Sequence, residues 1–200
     1  MLKIYYADIP EIDERGVYPL SDYRKAKLDK LKPAHTRNTS VAAELLLLHA
    51  LRECAPNVAI PPDIFAGEHG KPYLRNGGVY FNSSHSADTV ACAICDDEVG
   101  LDIQYITEYK PELAARFFAE DECAYVESGA DRNAAFTEIW SKKESYIKAL
   151  GTGLITPLAS FSVLHMSGLF YTVLGDYSLS VCVPGHDEPT VDFIKKVDLG

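Results

Sequence analysis

Long apolar runs are missing from this chain. Nowhere do about 18 apolar residues follow one another without interruption, which is the length a membrane-spanning helix needs, so no such helix is expected. The first residues, MLKIYYADIPEIDERG, carry charge inside their first apolar stretch and lack the apolar block of a secretory signal. A cytoplasmic protein is expected. Positive charge is also scarce: 19 Lys and Arg against 29 Asp and Glu give a formal net charge of −10, which disfavours general nucleic-acid binding because that binding neutralises phosphates. Cysteine is too sparse for a disulfide framework, since the 5 present, Cys54, Cys92, Cys95, Cys123 and Cys182, are odd in number and scattered through apolar surroundings. Cys92 and Cys95 spell CAIC, yet no second pair accompanies them, and an alternating strand would point them to opposite faces. They read as core thiols. A P-loop is absent too, because GEHGKP has the wrong spacing and Pro72 follows Lys71.

What is present describes a globular chain of 200 residues, 47% hydrophobic and 24% charged, able to bury a core in one domain or in two small halves sharing an interface. A strand is expected over Lys3 to Ile9. Arg24, Lys25, Lys27, Lys30, Lys32 and Arg37 then form a local basic cluster, either a solvated helix face or a phosphate-binding lip. Ser40 is a plausible N-cap for the apolar helix VAAELLLLHALREC. Lys71 is either an exposed loop lysine or a phosphate ligand. The turn NSSHS follows Val79 to Phe81, and there His85, flanked by Ser84 and Ser86, is a surface residue or part of a donor cluster for phosphate oxygens. Strands over Thr89 to Cys95 and Val99 to Ile106 come next. Period-two alternation in the latter places Val99, Leu101, Ile103 and Tyr105 on one face and Gly100, Asp102 and Gln104 on the other. Asp102 amid apolar neighbours points to a buried, paired or metal-bound carboxylate.

Helices are expected from Pro111 and near Glu120. Phe117 and Phe118 are either core residues or a docking patch for an acidic partner. The long stretch Phe136 to Leu154, FTEIWSKKESYIKALGTGL, sets Phe136, Ile139, Trp140, Ile147 and Leu150 on one helix face. Lys143 falls in the middle of that stripe, and burying an ammonium there demands a partner. Glu144 and Lys148 lie one turn apart at the border, able to face a cleft, while Glu138, Lys142 and Ser145 fall on the far, solvated side. Gly151 and Gly153 are expected to end the helix. Strands over Ala159 to Leu164, Leu169 to Leu174, Tyr177 to Val183 and Val191 to Val197 would complete an antiparallel sheet. The order of elements repeats, which predicts an α+β fold of two similar halves, residues 1–98 and 99–200. Each would pack a long helix on an antiparallel sheet, the halves would be related by a pseudo-twofold, and the site would lie in the crevice between them.

GKP (Gly70 to Pro72), FNSSHS (Phe81 to Ser86), VGLDI (Val99 to Ile103) and WSKKESYIKALGTGL (Trp140 to Leu154) stand in one order along the chain. Together they resemble the 4′-phosphopantetheinyl transferases, specifically the larger, surfactin-type group. The resemblance implies transfer of the phosphopantetheine arm of coenzyme A to a serine of an acyl or peptidyl carrier protein, releasing 3′,5′-ADP. It implies Mg²⁺, with Mn²⁺ the alternative ion, at Asp102, Gln104 and Glu144. Glu144 would be the base for the carrier serine, Lys148 would offset or protonate the leaving group, and His85 with Ser84 would hold coenzyme A phosphate. Arg24, Lys27 and Arg37 would form the 3′-phosphate lip, Lys71 and Pro72 would line the nucleotide pocket, and Lys143 would reach phosphate. Gln104 stands where the group commonly has an acidic residue, which predicts weaker metal affinity. Two other functions fit the same residues, a coenzyme A or carrier-protein binder without turnover and a Mg²⁺-dependent nucleotide pyrophosphate hydrolase. A monomer would suffice.

Overall fold

The computed structural model describes residues 1–13 and 16–199, with Leu154 described by its backbone alone. Glu14, Arg15 and Gly200, which the two expected halves include, and the side chain of Leu154, which closes the last motif, lie outside the described residues. In chain order the elements are β1 (Leu2–Asp8), α1 (Asp22–Leu28), α2 (Ala34–Cys54), β2 (Ile64–Ala66), β3 (Pro72–Leu74), β4 (Tyr80–Ser86), β5 (Thr89–Cys95) and β6 (Gly100–Tyr105). There follow α3 (Pro111–Phe117), α4 (Glu120–Ser128), α5 (Arg132–Leu150), β7 (Leu169–Leu174), β8 (Tyr177–Cys182) and β9 (Phe193–Lys196). The fold is α+β. One sheet has the order β4-β5-β1-β9, another β6-β8-β7, and β2 pairs with β3 as a small hairpin.

Period-two alternation builds the layers. In β1 and β5, Tyr5, Val90, Cys92 and Ile94 face α2 and pack on its Ala42, Leu46, Leu47 and Leu51. Leu2, Ile4, Ala91 and Ala93 face the other way, onto Leu101, Ile103, Leu179 and Val181 of the second sheet. Helix α5 covers that sheet from outside, so the stack runs α2, first sheet, second sheet, α5. Cys92 and Cys95 lie on opposite faces, and all 5 cysteines are free thiols.

Several expectations give way to tertiary packing. The apolar stripe of α5 does carry Phe136 and Ile139 into a core with Ala114, Phe118, Val126 and Val163, whereas Leu150 at its end is exposed. Phe118 is therefore a core residue. Of the residues expected on the solvated side, Glu138 and Lys142 are half-buried and Ser145 is fully buried, as is Ser141, which faces the sheet. Small hydroxyl residues let the helix approach closely, and Ser141 meets Ser180 at 2.8 Å and Ser178 at 3.2 Å. Asp131 caps α5 by accepting from the amides of Asn133 and Ala134, each at 3.0 Å, and Gly151, at φ 66°, ends it. Helix α2 starts at Ala34 after Pro33, six residues before the expected cap at Ser40, which is buried and bonded to Arg24. The NSSHS turn is strand, because β4 runs on to Ser86 and reverses at Ala87, whose φ is 46°. Ala159 to Leu164 is not a strand but holds a 3-10 turn, Leu158–Ser160. Finally, β9 does not join the antiparallel C-terminal sheet. It pairs parallel with β1, Lys3 opposite Phe193 and Tyr6 opposite Lys196, so the first sheet is mixed and a boundary at residue 98 is crossed by the chain's later part.

The two sheets meet at a seam between β4 and β6. Asn82, Ser84 and Ser86, alternate residues of β4, all turn toward β6: the Leu101 amide donates to Asn82 Oδ1 at 3.0 Å, Ser84 donates to Asp102 at 2.8 Å, and the Tyr105 amide donates to Ser86 Oγ at 2.9 Å. Side chains here replace the backbone ladder of a continuous sheet. On its outer face β6 is pressed to α5 at Gly100, where a Cβ would stand 2.0 Å from the Ser145 carbonyl oxygen and 2.2 Å from the Ala149 nitrogen. Gly100→Ala is thus expected to cost at least about 3 kcal/mol of stability, since backbone rather than a flexible side chain must move. Urea unfolding reads this directly; an unchanged midpoint would mean the helix is not held so close.

Candidate active site

Two adjoining cavities open beside the seam and share a wall made by Gly70, Pro72, Asn82 and Ser83. The first, about 380 Å³, lies between β3, β4 and the last turns of α5, and Glu144 and Lys148 line it. The second, about 240 Å³, lies between α1, α2 and β4, and Arg24, Lys27 and His85 line it.

Asp102 anchors the chemistry of the first cavity. It is almost wholly buried; its Oδ1 accepts from Lys148 Nζ at 2.5 Å and from Ser84 Oγ at 2.8 Å, and its Oδ2 accepts from Gln104 Nε2 at 2.9 Å. Lys148 also donates to Ser84 Oγ at 2.9 Å. The Glu144 side chain, half-buried one turn from Lys148, makes no hydrogen bond to any described residue. Burial, then the neighbouring Asp102 charge, pushes its carboxyl above the usual range. Lys148 pulls the other way, so the Glu144 carboxyl sits between a like and an opposite charge. In the second cavity the sign reverses: burial, then Lys148 and Lys27, lower the His85 pKa, and burial, then Arg24, lower that of Lys27. One cavity suits an anion and its neighbour a cation held by hard oxygens.

A divalent ion fits Asp102 and Glu144, two carboxylates brought together with the second lacking a partner. Gln104 fits that role less well. It presents nitrogen rather than oxygen to Asp102, and its Oε1 faces Ser86 Oγ at 3.5 Å. Among the described residues no group of three or more His, Cys, Asp and Glu side chains gathers as a metal site.

Other expected ligands have structural work instead. Lys143 is fully buried, and its ammonium pairs with Glu122 at 2.7 Å and donates to the Leu158 and Phe161 carbonyls at 2.8 and 2.6 Å. It does not reach toward phosphate, because the apolar stripe carries it into the α4–α5 core. Lys71 is paired with Glu98 and donates to the Ala149 carbonyl at 2.7 Å, so it ties β3 to the end of α5 while lining the cavity. Arg37 turns to the Leu28 and Leu31 carbonyls at 2.8 and 3.3 Å and closes the end of α1. Arg24 lines the second cavity, but its Nε bonds Glu44 at 3.1 Å. Ser84 faces Asp102 and Lys148 more than open space. Sequence reasoning passed over Glu44, Glu98 and Glu122, the partners of these cations, and the wall residues Asn82 and Ser83. A carboxylate inside the run VAAELLLLHA was a signal for the first; Glu122 offered none, since its helix looks solvated.

Two outcomes follow from these charges. Lys143→Met and Glu122→Gln should each cost about 3–5 kcal/mol by stranding the other buried charge, while the double variant should cost much less than their sum; additive losses in urea unfolding would mean the two side chains do not act as a pair. Glu144→Gln should raise the melting temperature in metal-free buffer at neutral pH. The raised pKa means that the ionised form disfavours the fold, and the gain should vanish once pH falls below the ordinary carboxylate range. A variant less stable than the parent at neutral pH would contradict this.

The profile of the 4′-phosphopantetheinyl transferase superfamily matches residues 98–187. The 4′-phosphopantetheinyl transferase gsp of Aneurinibacillus migulanus is 43% identical over 96 residues, 47% of this chain and 40% of that protein. The 4′-phosphopantetheinyl transferase psf-1 of Bacillus pumilus is 29% identical over 204 residues, 95% of this chain and 83% of its own length. The 4′-phosphopantetheinyl transferase AcpT of Salmonella typhimurium is 36% identical over 131 residues, 62% of this chain and 68% of its own length. The matched part of this chain thus spans under half of the first relative and over two thirds of the other two. With that identity over that share of a relative, on top of the site geometry, the chain belongs to the 4′-phosphopantetheinyl transferase superfamily.

Proposed function

We propose that this chain transfers the 4′-phosphopantetheine arm of coenzyme A to a serine hydroxyl of an acyl or peptidyl carrier protein, releasing 3′,5′-ADP. The observation that carries the reading is the shared wall: a cation-lined cavity and a cavity with Glu144 and Lys148 lie on its two sides. Coenzyme A has a 3′-phosphate and a diphosphate at the two ends of one ribose, which matches that spacing of charge.

In this reading Arg24, Lys27 and His85 hold the 3′-phosphate, and the depressed pKa values of His85 and Lys27 mark a region where an anion is welcome. Asp102 and Glu144 would hold Mg²⁺, which when bound neutralises diphosphate charge. Glu144, unpartnered and raised in pKa, takes the proton of the carrier serine directly or through one water. The serine oxygen forms a bond to the β-phosphorus, the bond from that phosphorus to the bridging oxygen breaks, and Lys148 offsets the charge left on 3′,5′-ADP. Because Asp102 and Ser84 already fix the Lys148 ammonium, little reorganisation is needed at the moment of transfer. Lys71 and Pro72 shape the nucleotide side, Lys71 through its hold on α5.

We read the chain as two α+β halves meeting at the seam, with β9 returned to the first sheet, and as a monomer acting on carrier proteins. No helix among the described residues is long and apolar enough to cross a membrane, and a cytoplasmic setting suits the substrates. Gln104 favours one second reading, binding of coenzyme A without turnover, since it removes a charge and spends its nitrogen on Asp102.

The test is intact-protein mass spectrometry of an apo carrier protein incubated with this protein, coenzyme A and Mg²⁺. A phosphopantetheine-sized gain is expected, and Glu144→Ala should slow it by about 10²-fold or more, the loss usual for a general base. Coenzyme A binding with no gain on acyl or peptidyl carriers would favour the binding reading, and nucleotide release without any carrier would favour a hydrolase.

A further inference from the structure

Ser83 stands out on the wall between the cavities. Its hydroxyl oxygen is shut off from solvent and has no hydrogen-bond partner among the described residues beyond the weak contact it makes with the Cys92 thiol, an unfavourable state for a buried hydroxyl. Asn82 gives its amide oxygen to the Leu101 N–H at 3.0 Å, and Gly70 and Pro72 have no polar side chain. Its neighbour in sequence, Ser84, is bonded to Asp102 and Lys148. Across the β4–β5 ladder Ser83 faces Cys92, a buried thiol within reach of its hydroxyl and a weak partner for it. The uncommitted hydroxyl of the shared wall is that of Ser83.

A ligand that places one phosphate among Arg24, Lys27 and His85 and another beside Lys148 must lay across this wall whatever joins the two. In a nucleotide phosphorylated at 3′ and 5′ that group is the ribose, and its remaining free hydroxyl is the 2′-OH. A serine side chain has three staggered χ1 wells, so one rotation re-aims the oxygen from the strand interior to either cavity. We propose that Ser83 hydrogen-bonds the ribose 2′-hydroxyl of coenzyme A and so selects ribose over deoxyribose. The choice of ligand rests on the transferase reading above; the unsatisfied hydroxyl on a two-cavity wall does not.

Calorimetric titration of the full chain with adenosine 3′,5′-bisphosphate and with 2′-deoxyadenosine 3′,5′-bisphosphate tests this. The parent protein should bind the ribo probe about fivefold more tightly, the worth of one net hydrogen bond. Ser83→Ala should bind both probes at the weaker, deoxy level, and its melting temperature should change little, because only the weak contact with Cys92 is lost within the fold. Ser83→Cys, close in shape with a feebler donor, should discriminate less than the parent and serves if the alanine variant does not fold. Equal binding of the two probes by the parent, or an alanine variant that weakens both alike, overturns the assignment. A parent protein that binds neither probe removes the nucleotide site itself, and with it the transferase reading.

Discussion

Everything in this molecule that touches chemistry depends on how β4 is held against β6. The strands belong to different sheets, and three short polar side chains of β4 replace the missing backbone ladder. Because side chains on one strand face recur every second residue, the run Asn82, Ser84, Ser86 fixes a register along the whole strand. The cost is that the opposite face of β4 has only Phe81, Ser83 and His85 to offer, and those form the floor of the second cavity. One strand thus joins two sheets with one face of its alternation and gives the other to the second cavity. Asp102 gains its position from the same arrangement, buried between a serine of one sheet and a lysine of the helix covering the other.

The electrostatics are arranged in two registers that do not compensate each other. Buried cations of the fold are satisfied locally: Lys143 by Glu122, Arg24 by Glu44, Lys71 by Glu98 and a helix-end carbonyl. Groups facing the cavities are instead buried beside charges of their own sign, and burial first, that crowding second, shifts His85 and Lys27 down and Glu144 up. A structural ion pair lowers the free energy of the empty protein, whereas a like-charged cluster raises it until a ligand of opposite sign arrives.

Much of this was legible in the sequence because it rests on local periodicity. The 3.6-residue spacing of Phe136 and Ile139 announces α5, Gly151 its end, and the alternation through Val99 to Tyr105 the strand that carries Asp102. What is not legible is which distant residue completes a local oddity. Lys143 advertises a buried ammonium, yet its carboxylate comes from a helix that reads as solvated. Ser145 looks like part of a wet helix face until Gly100 is set opposite it and the serines of β8 opposite Ser141, when small size rather than polarity proves to be the property of both. Gln104 illustrates the same limit within the site, since strand alternation sets it beside Asp102, the resemblance implies an amide oxygen for a metal, and the fold turns its nitrogen toward Asp102.

The parallel pairing of β9 with β1 has a consequence in time rather than in space. The Leu2 amide bonds to Asp192, a partner 190 residues away, so the first sheet keeps an open edge beside β1 until nearly all the described chain has left the ribosome. Closing so distant a contact carries a loop-entropy penalty that nearer pairings escape. During synthesis the exposed edge of β1 is a strand in search of a neighbour, and the nascent protein is vulnerable there to pairing with the wrong one.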